Sequence, residues 1–312
     1  PKGGGVMRDF IPDIHGDLER LTLTLSELGY ADDGVSWRHP DGRIAVFLGD
    51  LIDKGCENAS VISLVRDMVS AGQATCIMGN HELNALLFHS PGQSNSSVQD
   101  GWMRTRTSST LRQHQAFLDE FTDPDELKGA LNFFLSMPLI HMGGGMRAVH
   151  ACWSDPTVDI FLEHCPNGRL RQEQLQEIAL EKSDLAMAVK TLTKGPEIPL
   201  PKGVSYLDTY GSRRRTGRLN WWTPTAKTYR DGVLSIPNPE TLPNTELPDE
   251  ARQVCYSPKA PTVVFGHYKM TGTPELQGNA ICLDYPDTAC ALREIDGDLV
   301  LVIPEAPVPV LN

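Results

Sequence analysis

The chain has 312 residues, 40% of them hydrophobic and 22% charged, a balance ordinary for a globular protein with a substantial core. Forty acidic residues against 28 basic ones leave a formal net charge of -12, which argues against a surface built to grip nucleic acid. No run of about 18 apolar residues occurs, so no membrane-spanning helix is expected.

The opening PKGGGVMRDF has no secretory apolar core and reads as a short leader before a start near Met7. Seven cysteines, an odd number without framework spacing, point to reduced thiols and a cytoplasmic setting. In chain order, a strand is expected at Met7–Ile11, then a helix over Asp17–Leu28 with Asp17 as its N-cap and Gly29 as its stop. A strand at Ile44–Leu48 precedes a helix over Asn58–Val69, and a strand at Thr75–Met78 runs straight into a helix over Glu82–Phe88. Ser90–Thr110 is polar and reads as a loop, followed by helices at Leu111–Phe121 and Asp125–Ser136. Beyond a strand at Arg147–Val149, Leu170–Leu192 is helical, while proline-rich Gly195–Asp208 and Pro237–Glu250 read as extended connections. Strands at Thr262–Phe265, Ala280–Leu283 and Leu299–Ile303 complete the chain. Strands alternating with helices give the α/β class, and closely spaced late strands suggest a second mixed sheet packed on the first. One domain over 1–312 is expected, with a largely helical insertion at about 90–136 and a helical or loop segment at about 155–250.

Chemistry-bearing residues gather where strands run out. Asp13-Ile-His15-Gly-Asp17 follows the first strand, Gly49-Asp50-Leu-Ile-Asp53-Lys54-Gly55 the second, and Gly79-Asn80-His81-Glu82 the third. His150 and His267 end two later strands. Each motif alone would read as an ordinary turn or a hydrogen-bonded structural imidazole. Five of them at strand carboxyl ends would share one crevice, the place where open α/β sheets bind ligands. Oxygen and imidazole donors suit a pair of divalent transition-metal ions, and the lack of cysteine donors disfavours a structural zinc site. Two such ions about 3.5–4 Å apart can hold a phosphoryl oxygen beside an activated hydroxide, with a carboxylate bridging the like charges.

PDIHG, GDLIDKG, GNHE, HAC and GHY, spread from about Met7 to His267, resemble the calcineurin-like metallophosphoesterase superfamily. Within it they are similar to the phosphoprotein-phosphatase branch and a bacterial group labelled diadenosine tetraphosphatase or serine/threonine phosphatase. The resemblance implies a four-layer α/β/β/α sandwich, two mixed sheets flanked by helices, with the metal site at strand carboxyl ends. It implies that Asp13, His15 and Asp50 hold one metal, and that Asp50 bridges to a second completed by Asn80, His150 and His267. It further implies that His81 is the general acid, that Asp53 orients it, and that a metal-bridging hydroxide attacks phosphorus in line. Manganese is the metal expected, with iron, zinc, cobalt or nickel as alternatives. Three positions depart from the pattern: Pro12 stands for glycine, Lys54 for a phosphate-binding arginine, and Ala151-Cys152 for Gly-Gly. Lys54 keeps the charge but loses the bidentate fork.

Arg213-Arg214-Arg215 and Arg218 form the dense basic cluster of an acidic chain, so Arg214 and Arg218 join Lys54 as candidates for substrate phosphate. Trp221-Trp222 reads as core or as a stacking platform for a base. His114 and Lys194 are further candidates for the pocket wall, although a histidine on a helix such as this is normally at the surface. The substrate expected is a phosphorylated small molecule, a nucleotide or a phosphoprotein. A fold that keeps phosphate binding without catalysis is the non-enzyme alternative, disfavoured because the ligand positions and the His81–Asp53 pair are all present.

Overall fold

The structure is a computed structural model that describes residues 6–92, 101–207, 211, 213–252 and 254–305. Residues 1–5 of the segment read as a leader, part of the Ser90–Thr110 loop (93–100) and the end of the Gly195–Asp208 stretch (208) lie outside the described residues.

The strands that build the site are β1 (Arg8–Ile11), β2 (Ile44–Phe47), β3 (Ala74–Cys76), β4 (Ile140–Gly143), β5 (Met146–Val149), β6 (Val263–Phe265), β7 (Ala280–Cys282), β8 (Ala291–Ile295) and β9 (Asp298–Val302). The helices are α1 (Leu18–Glu27), α2 (Asn58–Ser70), α3 (Asn80–His89), α4 (Ser108–Glu120), α5 (Pro124–Leu135), α6 (Asp155–His164), α7 (Leu175–Leu180) and α8 (Asp184–Lys194). Both principal sheets are mixed. One has the order β9-β8-β1-β2-β3, with β1, β2 and β3 parallel and β8 and β9 joined as antiparallel neighbours. The other has the order β7-β6-β5-β4, with β5, β6 and β7 parallel.

Alternation along the strands sorts their side chains between two cores. Phe10, Val46, Ala148, Val264, Ile281 and Leu292, drawn from both sheets, form one buried cluster. Ile11, Ala45, Phe47, Val149 and Phe265 point the other way and pack with helical residues such as Leu21, Leu25, Val61, Val65 and Val189. Asp9 is the polar exception, fully buried in β1. It accepts two bonds from Arg43 at 2.8 and 2.9 Å and two from Arg293 at 2.8 and 3.0 Å, tying β1 to the approach to β2 and to β8.

Local chemistry explains the helix starts. The Asp17 side chain accepts from the Arg20 N–H at 2.9 Å as expected of an N-cap, and Gly29 takes φ 80 just past the end of α1. The stretch read as one helix over Leu170–Leu192 is broken instead, because Glu181 adopts φ 50 between α7 and α8. The interval at about 155–250 is also not only helix and loop. Strands Glu197–Pro199, Thr216–Leu219 and Val233–Leu234 pair antiparallel there and enclose a small core of Ile198, Leu219, Val233, Leu242 and Leu247. Among the described residues, no helix is long and apolar enough to cross a membrane.

Candidate active site

Parallel pairing puts the carboxyl ends of β1, β2 and β3 side by side, and those of β5 and β6 beside each other in the second sheet. Short main-chain bonds lock the emerging loops together. Ile14 and His15 N–H both donate to the Asp50 carbonyl at 3.0 and 2.9 Å, and the Gly266 N–H donates to the His150 carbonyl at 2.9 Å. The turns are sharp enough that His15, Asp50, Asp53, Lys54 and His267 all take positive φ, at 55, 53, 69, 66 and 71°. Non-glycine residues avoid this region at a cost of about 1–3 kcal/mol each, and such strain concentrates where function over-determines the backbone. Gly79 and Gly266 have no room for a side chain, since a Cβ would collide with Asp50 and with Asp13 respectively.

The sequence-derived ligand candidates converge. Asp50, at 2% exposure, turns its two carboxylate oxygens in different directions: Oδ1 lies 3.3 Å from His150 Nε2, and Oδ2 lies 3.9 Å from His15 Nε2. Asp13 Oδ2 is 3.8 Å from His15 Nε2, and the Asp13 carboxylate accepts from the His267 N–H at 3.2 and 3.3 Å. Asn80 Oδ1 is 3.1 Å from His150 Nε2. The imidazoles are aimed by main-chain carbonyls, His15 Nδ1 by Ile52 at 3.1 Å and His150 Nδ1 by Leu48 at 2.7 Å, which leaves each Nε2 facing the crevice. Two groups of potential donor atoms, each within 4.8 Å, share Asp50: His15–Asp50–His81 and Asp50–His150–His267.

These residues fit metal ions. His267 Nε2 is buried without a hydrogen-bond partner, a costly arrangement unless a ligand meets it. Burial, with Asp284 and Asp50 close by, raises the Asp13 pKa well above the usual carboxylate range. Burial opposes charge on His150 too, yet the Asp50 carboxylate outweighs it and pushes the imidazole up to about 10. A carboxylate that holds its proton beside an imidazole that gains one is a setting in which a cation would be stabilised.

Beside this cluster, His81 Nδ1 meets Asp53 Oδ2 at 2.5 Å, while its Nε2 lies 3.7 Å from Asp50 Oδ2. Burial disfavours the imidazolium, but the Asp50 and Asp53 charges prevail and raise the His81 pKa. Burial likewise opposes ionisation of Asp53, and its bonds to His114 and His81 bring it down to about 2. The substrate-facing candidates separate. Arg218 donates to the His267 carbonyl at 3.2 Å, whereas Arg214 is exposed in a two-residue strand paired with Tyr206–Leu207. Lys54 keeps solvent contact, yet partial enclosure and the Lys269 charge lower its pKa. Trp221 and Trp222 are core, packed against Phe265 at 4.7 and 4.9 Å, so they offer no free face for a base. Cys152 is a fully buried thiol whose pKa burial raises.

Sequence reasoning named His114 as a candidate for the pocket wall but favoured the surface for it, and it missed the parts played by Glu82, Asn58 and Asp284. His114 is not at the helix surface: it is 1% exposed and its Nδ1 lies 2.9 Å from Asp53 Oδ1. Glu82, fully buried, accepts from the main-chain N–H of Asp50, Leu51 and Gly79 at 2.9, 2.8 and 2.8 Å, lashing the second loop to the third. Its place in GNHE was the available signal. Asn58 accepts from the Asp53 N–H at 2.8 Å and supports that loop from α2. Asp284, buried after β7, holds the Lys269 N–H at 2.9 Å.

Known proteins carry similar features. Bis(5'-nucleosyl)-tetraphosphatase PrpE of Halalkalibacterium halodurans is 42% identical over 73 residues, 23% of this chain and 30% of that protein. The Bacillus subtilis protein of the same name is 37% identical over 73 residues, again 23% and 30%. The match thus spans about 30% of the length of these curated relatives. Among solved structures, the cold-active protein-tyrosine phosphatase of a psychrophilic Shewanella superposes with a TM-score of 0.52 at 15% identity, covering 96% of this chain and 81% of that one. A protein serine/threonine phosphatase from Saccharomyces cerevisiae gives 0.50 at 12% identity, covering 97% and 81%. At such identities these two superpositions speak for the fold alone. Residues 9–269 match the calcineurin-like phosphoesterase family, a span that runs from β1 past His267 and takes in all five strand-end motifs, and the chain belongs to that family.

Proposed function

We propose that the protein is a metal-dependent hydrolase of phosphate esters, working through a binuclear centre in which two divalent ions would share Asp50. Asp13, His15 and Asp50 would hold one ion, and Asp50, Asn80, His150 and His267 the other. The observation that carries this reading is the split of the Asp50 oxygens, one toward His150 and the other toward His15. Manganese is the metal we favour, since the donors are carboxylate, amide and imidazole without thiolate. When bound, such a pair supplies an activated water nucleophile and offsets charge on the phosphoryl oxygens.

The protein's own groups do the rest. His81 serves as general acid, because Asp53 fixes its Nδ1 and leaves Nε2 facing the crevice beside Asp50. Asp53 bound at Nδ1 favours the protonated ring, and the proton passes from Nε2 to the departing alkoxide oxygen. Lys54 and Arg218 are the nearest candidates to hold substrate phosphate, and Arg214 is the weaker one. No aromatic stacking by Trp221 or Trp222 enters this reading.

Phosphomonoesters and dinucleoside polyphosphates are the substrates we favour, and the tetraphosphatase activity for which the PrpE relatives are named supports the second class. A cavity of about 310 Å³ beside Leu83 and Asn84 of α3 is lined by Arg104, Lys190 and Lys194, but Glu181 lines it too and pairs with both lysines, so it does not decide between substrates. A phosphoprotein is the alternative, acted on by the same site. We read the chain as one metallophosphoesterase domain acting in the cytoplasm, where its seven free cysteines would stay reduced. Parallel kinetics with 4-nitrophenyl phosphate, diadenosine tetraphosphate and phosphopeptides in the presence of manganese test the reading. The best kcat/KM is expected for the first two, and no hydrolysis of any would end the proposal.

A further inference from the structure

The histidine pair on α3 and α4 extends the site beyond the residues that the family resemblance implies. His114 comes from α4, 61 residues along the chain from Asp53, and is buried at 1% exposure. Its Nδ1 lies 2.9 Å from Asp53 Oδ1, while His81 Nδ1 takes the other oxygen, Oδ2. On its far side His114 Nε2 lies 3.2 Å from Nε2 of His89, a residue of α3 eight positions beyond His81. Phe117 stacks on the His114 ring at 4.7 Å with planes 16° apart, and Phe88 meets its edge at 5.1 Å. The ring therefore cannot swing away from Asp53 without disturbing the aromatic cluster of α4.

We propose that His114 is a positioning residue for the reaction, holding the Asp53 carboxylate in the one orientation that keeps His81 aimed at the leaving group, with His89 fixing the His114 ring from behind. The proposal rests on the reading of His81 and Asp53 as the acid pair. Its physical basis is the carboxylate's freedom. A carboxylate held at one oxygen only can rotate about Cβ–Cγ and carry its imidazole partner along. Bound at both oxygens, and with the Asp53 N–H tied to Asn58 at 2.8 Å, it cannot. The tautomers close the chain consistently. With His114 donating from Nδ1 to Asp53, the 3.2 Å contact between the two Nε2 atoms is satisfied by one proton shared between the rings. Burial, with the neighbouring His114 ring and Arg106, lowers the His89 pKa to about 4, which leaves His89 neutral near pH 7 and able to share that proton. A surface histidine with no task would have none of these contacts.

The test compares His114→Phe, which keeps the ring and loses the donor, with His114→Asn, whose side-chain N–H replaces the Nδ1 donor. Each is assayed on an alkyl phosphate, where the leaving group needs a proton, and on 4-nitrophenyl phosphate, where it scarcely does. His114→Phe should slow the alkyl ester by roughly tenfold to a hundredfold and the aryl ester by less than about threefold, at unchanged metal content. His114→Asn should recover most of the loss. Equal losses on both esters, wild-type rates in His114→Phe, or no recovery in His114→Asn would each overturn the role. Should His114→Phe fail to fold, the ring nitrogen resonances of the wild-type protein decide: a proton on His114 Nδ1 supports the proposal, and a bare Nδ1 refutes it. Failure of the underlying reading looks different, since His81→Ala would then slow both esters alike, or the wild-type protein would hydrolyse neither.

Discussion

Replacing Glu82 by alanine removes an acceptor that three main-chain donors share. Asp50 and Gly79 N–H groups meet Oε2 at 2.9 and 2.8 Å, and the Leu51 N–H meets Oε1 at 2.8 Å. Each donor sits in a turn sealed from water, where an unmet N–H costs about 1–3 kcal/mol. Against this, burial and the nearby Asp50 charge push the Glu82 pKa up to about 7, so its removal also relieves some electrostatic cost. The net loss expected for Glu82→Ala is about 3–5 kcal/mol, a large share of the stability of a typical domain. Glu82→Gln keeps one oxygen for Asp50 and Gly79 and turns an amide NH2 toward Leu51, so about 1–2 kcal/mol should be lost. Urea unfolding with and without manganese reads both, and manganese affinity should fall in the same order because the Asp50 and Asn80 loops lose their tie. A Glu82→Ala protein within about 1 kcal/mol of wild type, or a glutamine variant as damaged as alanine, would refute the reasoning.

Two other perturbations probe the scaffold and the substrate side. Asp9→Asn should destabilise the fold by about 3–5 kcal/mol, because it leaves buried guanidinium charge from Arg43 and Arg293 without its counter-charge. Burial pushes the Asp9 pKa up, but Arg293 and Arg43 outweigh it and hold it below 3.8. A depressed carboxylate stabilises fully above its unfolded pKa and loses that contribution as pH falls through the folded value. The gap in Tm between wild type and Asp9→Asn should therefore be widest near neutrality and narrow below pH 3.8, and a gap constant with pH would contradict the pairing. Arg218→Ala should raise KM for an aryl phosphate by about tenfold, the worth of one charge-assisted contact, while unchanged kinetics would assign the residue to support of the His267 carbonyl alone.

The strands and turns that carry the candidate ligands were legible because each announced itself locally: an apolar run, a glycine, then an acid or imidazole. Asp13, His15, Asp50, Asn80, His150 and His267 stand together as those runs suggested, and Arg218 separates from Arg214 only in three dimensions. What escaped has a common physical cause, dependence on partners far along the chain. Nothing around His114 in RQHQ says that Asp53 will receive it, and helical spacing alone favours a surface position. Strand β8 carries Arg293 and Glu294, whose charges hide the alternation until Asp9 is seen to pair with Arg293. The break between α7 and α8 falls at Glu181 without a glycine or proline to mark it. Trp221 and Trp222 were ambiguous for the opposite reason, since large aromatics serve a core and a binding platform equally well until burial distinguishes them.

The proposal that two ions share Asp50 is tested most directly by metal analysis of protein purified without chelator and equilibrated with manganese, in the wild type and in Asp50→Asn. About two ions per wild-type chain, falling to one or fewer in the variant, is the expected result. A wild-type chain that binds no ion or one, or an Asp50→Asn chain that keeps two, would contradict a binuclear centre built on that carboxylate.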